Sequence, residues 1–274
     1  MKAEILFAGA TLTCPKAGTN AAIEVSVENA GWIETTHSRI IRDGVAEKTE
    51  IPLLFGRIRH PNGDVFVDAG LGNTTRTGEY PRFPLSSEGI RLPKGATISE
   101  YEGTEPHTVL TTHLHYDHIG GLLDLSKNTT VWTTEKEWES ARTSNVAFPE
   151  KRMRDTVTWK PVKLEHGYTN QKLGMPAVDV KGDGSIWYLG TPGHTPGSAS
   201  VLVHAADAAW LFIGDIAWVD EHLQSDTRPK WVSILVDGRP KRHKQALAWA
   251  RHLHRKCPSL NIVPGHEPRW TRKP

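Results

Sequence analysis

Cysteine is nearly absent: the 274 residues contain two, Cys14 and Cys257. Neither stands near another candidate ligand in the sequence, so a cysteine-built zinc site and a disulfide scaffold are both excluded, and a reducing, cytoplasmic setting is expected. No apolar run approaches the ~18 residues that a membrane span needs, so no membrane partner is expected. Charge of one sign is not in excess either. Lys+Arg 33 against Asp+Glu 31 leaves +2, which removes a charge-driven attraction to nucleic acid. The opening residues, Met1 to Phe7, carry one lysine and one glutamate before a short apolar stretch, a poor match to a secretory signal. No phosphate loop, no GxGxxG after a strand and no serine elbow occurs, so nucleotide chemistry and serine-based acyl transfer have no motif to stand on.

What is present is an ordinary globular composition, 38% hydrophobic and 23% charged, with fourteen histidines and ten tryptophans. No linker or repeat divides residues 1–274, which read as a single domain. The first third reads as β structure. Leu53–Arg59 and Val65–Val67 flank Asn62-Gly63, a hairpin signal. Residues 71–97 are rich in Gly, Pro, Arg, Ser and Thr without periodicity and read as a long surface loop near the active site. Two strand–helix units follow, Thr108–Thr112 into Ile119–Leu123 and Thr130–Trp132 into Glu135–Arg142. Then come strands at Ser185–Leu189, Ser198–Val203 and Ala209–Ile213. Apolar residues at Ala246, Leu247, Trp249, Ala250 and Leu253 make Lys241–Arg255 a helix, and Leu260–Val263 is the last strand. Strands and helices mix throughout, so the class is α/β or α+β.

The chemistry concentrates in His113-x-His115-x-Asp117-His118, four metal-competent side chains within six residues. Alternate residues of an extended segment point the same way, so His113 and His115 can share one cation. Asp117 and His118, where the strand turns into a helix, face a second. Imidazole with carboxylate suits zinc, manganese, iron or cobalt rather than calcium. Three further elements put a polar residue at the end of an apolar strand: His194 in TPGHTPG, Asp215 in FIGD and His266 in IVPGH. Sites at the rim of a sheet are built from such ends.

HxHxDH, a TPGHTPG histidine, a strand-terminal GD and a late PGH together resemble the metallo-β-lactamase superfamily over roughly residues 50 to 268. The resemblance implies an αβ/βα four-layer sandwich, two mixed sheets with outer helices and the metals at one edge. It implies two divalent metal ions per chain, zinc first, with manganese, iron or cobalt as alternatives. His113, His115 and His194 would hold one, Asp117, His118 and His266 the other, and Asp215 would bridge both. Asp68, at the end of Val65–Val67, resembles the carboxylate that takes the free N–H of a ligating histidine in that family. The mechanism expected is hydrolysis by a metal-bridging hydroxide, the paired cations lowering the pKa of water from 15.7 to about 7. Asp117 would take the nucleophile's proton and pass it to the leaving group.

Within the superfamily, an aspartate at position 215 resembles the lactonases, thioesterases, phosphotriesterase-like enzymes and RNase Z group more than the cysteine-containing di-zinc β-lactamases. Only eight residues follow His266, which leaves no room for the glutathione-binding domain of glyoxalase II. Between His194 and Asp215 lie only 20 residues, too few for an inserted nucleic-acid module. Arg239–Lys256 has seven Lys/Arg and no acid but reads as a solvated outer helix. The N-acyl homoserine lactonases are the nearest resemblance. Where they often carry a tyrosine three residues after the bridging aspartate, this chain has Trp218, an indole that can pack on an acyl chain but cannot act as a phenol. Trp218 is the expected substrate contact. Trp231, Tyr80 and Phe83 are further candidates for the pocket wall, Trp132, Trp187, Trp210 and Trp249 belong to the core, and His222 reads as a surface residue. A small-molecule ester or lactone is the expected partner, without nucleic acid, and a homodimer is left open. Lactone opening is the leading reaction, with aryl ester, phosphotriester or thioester hydrolysis as the alternative and β-lactam or RNA cleavage behind it.

Overall fold

The computed structural model describes residues 13–77, 89–101, 108–142, 155–164, 169–170, 173–231 and 237–271. In chain order the strands are β1 (Glu24–Thr36), β2 (Lys48–Arg59), β3 (Val65–Val67), β4 (Ile90–Arg91), β5 (Thr108–Leu110), β6 (Thr130–Thr134), β7 (Thr158–Val162), β8 (Thr169–Asn170), β9 (Met175–Asp179), β10 (Ile186–Gly190), β11 (Ala199–His204), β12 (Ala209–Gly214) and β13 (Leu260–Pro264). Helices are α1 (His37–Ile40), α2 (Tyr116–Ile119), α3 (Glu135–Ala141), α4 (Asp220–Gln224) and α5 (Pro240–Lys256). Among the described residues no helix is long and apolar enough to cross a membrane.

The strands form two sheets, β4-β1-β2-β3-β5-β6-β7 and β13-β12-β11-β10-β9-β8. Both are mixed. The long β1–β2 ribbon and the β2–β3 hairpin at Asn62-Gly63 are antiparallel, while β3, β5, β6 and β7 run parallel to one another, as β12 does to β13. Parallel strands are buried on both faces and lose the apolar–polar alternation, which is why Ala209–Gly214 is buried at every position.

Three layers of apolar side chains hold the sandwich together. Between the sheets, Ile58, Val67, Leu110 and Trp132 meet Tyr188, Val201, Phe212 and Val263. Outside the second sheet, Ala246, Leu247, Trp249, Ala250 and Leu253 of α5 cover Leu202, Leu211 and Ile262. Outside the first, Leu114, Ile119, Leu122 and Ala141 cover Phe55, Phe66, Val109 and Val131. Helix, sheet, sheet, helix is the expected four-layer order. The apolar stripe of α5 is fully seated, and its Lys241, Lys244, Arg255 and Lys256 face solvent.

Two expectations need correction. Cys14 and Cys257 are joined in a disulfide, 243 residues apart in the chain. Sequence proximity could not reveal it, because the segment after residue 13 is brought back to the end of α5 only by the fold. The reducing-compartment inference, drawn from unpaired thiols, loses its premise. Residues 71–97 are also not simply a surface loop. Leu71 and Thr97 are fully buried, Asn73–Thr75 makes a 3-10 turn, β4 pairs with β1, and Arg76 is ion-paired with Glu100 at 2.8 Å. Tyr80 and Phe83 lie outside the described residues.

Candidate metal centre

Each element that carries a candidate ligand delivers it from a strand end at the same rim. His113, His115, Asp117 and His118 follow β5, with α2 starting at Tyr116. His194 follows β10, Asp215 follows β12, and His266 follows β13. The backbone that turns these corners is specialised. Gly214 has φ 49°, and a Cβ there would strike the Thr112 side chain. Asp68 has φ 59°, a left-handed conformation uncommon for a side-chain-bearing residue and found mostly where a site demands it.

The side chains gather into two groups, His113–His115–His194–Asp215 and Asp117–His118–His266. Asp215 connects them. Its Oδ2 lies 3.3 Å from His194 Nε2, and its Oδ1 lies 3.2 Å from His118 Nε2 and 3.3 Å from His266 Nε2. His194 Nε2 is 3.0 Å from His115 Nδ1, and Asp117 Oδ2 is 3.6 Å from His266 Nε2 and 3.7 Å from His118 Nε2. Two ligands at ~2.1 Å from a tetrahedral zinc stand about 3.4 Å apart, so these spacings suit shared cations. Four buried atoms, His113 Nε2, His118 Nε2, Asp117 Oδ1 and Asp215 Oδ1, have no hydrogen-bond partner. Leaving such atoms unpaired is costly unless something else satisfies them.

The opposite nitrogen of four histidines is already committed. His118 Nδ1 donates to Asp68 Oδ2 at 2.8 Å, His194 Nδ1 to Asp237 Oδ1 at 3.0 Å, and His266 Nδ1 to the Pro52 carbonyl at 2.9 Å. His113 Nδ1 meets Thr112 Oγ1 at 3.1 Å, whose own hydroxyl donates to Asp68 Oδ2 at 2.8 Å. This choice of tautomer turns the Nε2 lone pairs of these four inward, as metal ligation requires, while His115 meets the cluster through Nδ1. Asp68 takes the His118 N–H and the Thr112 backbone N–H.

Electrostatics split the cluster. Burial, together with the neighbouring imidazoles, pushes His113 well down and His115 to about 3. Burial also opposes charge on His118 and His266, but the surrounding carboxylates, Asp117 and Asp215 among them, outweigh it and raise both. Asp117 is raised by burial; Asp215, where burial is opposed by His266, His194 and His118, is held well below the ordinary carboxylate range. Charge on His118 and His266 is thus favoured by the carboxylates around them. Zinc added to chelator-stripped protein should release protons, and its apparent affinity should rise with pH, because a ligating imidazole must be neutral. Calorimetry in two buffers of different ionisation enthalpy checks this; identical heats would contradict it.

Sequence reasoning missed several groups. Glu137, an ordinary first-turn acid of α3 in sequence, is 2% exposed and accepts from Leu114 N (3.0 Å), Gly197 N (3.0 Å) and Thr195 Oγ1 (2.6 Å). It ties the His113–His118 loop to the His194 loop. Asp237 and Arg228 are buried behind His194, with His243 beside them; burial and then Arg228 push His243 to about 3. His222 is fully buried, contrary to its surface assignment, accepting from Trp218 N and donating to the Ile40 carbonyl. Trp218 differs most from expectation. It is 1% exposed, with no surface turned to a substrate, and its Nε1 donates to Asp215 Oδ2 at 2.8 Å. Trp132, Trp210 and Trp249 are buried as expected, whereas Trp187 and Trp231 are only half-buried.

A family model described as Metallo-beta-lactamase superfamily matches residues 56–266. N-acyl homoserine lactonase AttM of Rhizobium radiobacter is 25% identical over 243 residues, spanning 85% of this chain and 88% of that protein. Acyl-coenzyme A thioesterase MBLAC2 of Homo sapiens is 29% identical over 178 residues, spanning 59% and 57% respectively. In three dimensions, an N-acyl homoserine lactone hydrolase with the product N-hexanoyl-L-homoserine at its catalytic metal centre superposes with a TM-score of 0.70 at 17% identity, covering 94% of this chain and 95% of that one.

Proposed function

Because the chain belongs to the metallo-beta-lactamase superfamily, we propose that it is a dinuclear metallohydrolase that opens lactone rings, with acyl homoserine lactones as its substrate class. The observation that carries the reading is Asp215, one carboxylate oxygen turned to each ligand group. The lactone preference rests on relatives such as AttM, aligned along most of both chains.

In this reading His113, His115, His194 and Asp215 would hold one divalent ion, zinc first, and Asp117, His118 and His266, with Asp215 again, would hold a second. When bound, the ions supply Lewis acidity at the ester carbonyl and acidify water. The protein's own groups do the rest. Asp68, Asp237 and the Pro52 carbonyl keep the ligating imidazoles in one tautomer and one orientation. Asp117 has one buried oxygen, Oδ1, without a partner, placed to accept the proton of the attacking water and return it to the ring oxygen as the C–O bond breaks.

Metal analysis with a substrate panel tests the reading: an acyl homoserine lactone, an aryl ester, a phosphotriester, a thioester and a β-lactam. Two metals per chain and fastest turnover of the lactone are expected. Two metals with faster ester, phosphotriester or thioester hydrolysis would keep the centre and replace the substrate; one metal or none would overturn the dinuclear site.

A further inference from the structure

Behind the centre, on the His194 side, lies a closed ring of contacts that none of the ligand assignments uses. Arg228 is 3% exposed. Its Nη2 donates to Asp237 Oδ1 at 2.8 Å, the same oxygen that accepts from His194 Nδ1 at 3.0 Å. Its guanidinium carbon stands 4.8 Å from the centre of the Trp218 ring, and Trp218 in turn donates Nε1–H to Asp215 Oδ2 at 2.8 Å. Nη1 reaches the Asp215 carbonyl at 3.5 Å. The ring closes where Asp215 Oδ2 faces His194 Nε2 at 3.3 Å.

We propose that Arg228 is a positioning residue for the metal centre: one buried guanidinium, paired with Asp237 and set over the Trp218 ring, sets the orientation of His194 and Asp215 together. The proposal rests on the dinuclear reading above. A buried cation is retained only where its surroundings compensate its desolvation, and Asp237, with its fully buried side chain, does so here. A simple ion pair would need nothing more, yet the guanidinium also stands over the indole ring. That double engagement suits the broad guanidinium, whose several N–H groups reach Asp237 and the Asp215 carbonyl while its carbon stays over the ring; an ammonium is a single point charge. The two groups Arg228 holds are those that touch His194 and Asp215 from behind. A carboxylate is free to turn about its terminal torsion, whose energy wells are broad. The Trp218 N–H removes that freedom by fixing Oδ2, leaving Oδ1 to face His118 and His266. Trp218 thereby serves the centre from the rear.

Zinc titration of chelator-stripped protein against a competing chelator separates the two binding steps. In Arg228→Lys and in Trp218→Phe, which keeps an aromatic ring but deletes the N–H, zinc should bind about 10- to 100-fold more weakly in at least one of the two steps while the near-ultraviolet dichroism is retained. The double variant should be no weaker than the worse single one, because both act on one chain of contacts. Should Arg228→Lys fail to fold, Trp218→Phe, which leaves the Arg228–Asp237 pair in place, carries the test alone. Wild-type affinity for both equivalents in Trp218→Phe overturns the proposal and leaves the dinuclear reading standing. Equal weakening of both steps together with loss of the near-ultraviolet dichroism would show a structural role and overturn it as well. A wild-type chain that binds no zinc overturns both.

Discussion

Replacing Asp215 with alanine should reduce kcat/KM by about 10³-fold or more and lower the bound metal from two ions to one per chain. The substitution removes both oxygens that the ligand groups share, and it leaves His118, His194 and His266 facing one another without the carboxylate that draws them together. Neither group can compensate. Asp117 stands at 3.6–3.7 Å from the histidines of its own group, and the His113–His115–His194 group has no other carboxylate. Elemental analysis and lactone kinetics on the same preparation decide it. An Asp215→Ala protein that retains two metals would refute the bridging assignment even if activity were lost.

Glu137→Ala should cost about 3–5 kcal/mol of folding stability, because three buried donors lose their acceptor at once. Leu114 N, Gly197 N and the Thr195 hydroxyl all point at this carboxylate, and all three are protein donors, which is the arrangement an ionised acid requires. Glutamine should not rescue it. An amide offers one acceptor oxygen, and its NH2 would confront a donor on the other side. Urea unfolding of the metal-free variants measures the loss without interference from bound ions. A change below about 1 kcal/mol would mean that water enters and replaces the carboxylate.

The candidate ligands were legible in the sequence because their chemistry is local. HxHxDH packs four metal-competent groups into six residues, and His194, Asp215 and His266 each end an apolar run. The strands and α5 were legible for the same reason, through periodicity and turn residues over short windows. What escaped depends on contacts between distant segments. Asp237 acts on His194 from 43 residues away, Glu137 on Thr195 from 58, and Cys14 pairs with Cys257 across 243. Trp218 was singled out at the right position and given the wrong face. Position in the chain indicated nearness to Asp215, but only the fold decides whether an indole turns toward the open site or toward the carboxylate behind it.

The origin of the ligands has a thermodynamic consequence. His113, His115, Asp117 and His118 come from the end of β5 in the seven-stranded sheet, whereas His194, Asp215 and His266 come from the six-stranded sheet. In the dinuclear reading, therefore, each ion takes ligands from both sheets and rivets one half of the sandwich to the other. Because unfolding separates the halves, the folded state gains free energy from every ion bound, about 2.7 kcal/mol per site when free metal stands at a hundred times its dissociation constant. Free metal concentration then sets how firmly the sandwich stays closed, and a melting temperature for this protein is defined only once that concentration is stated.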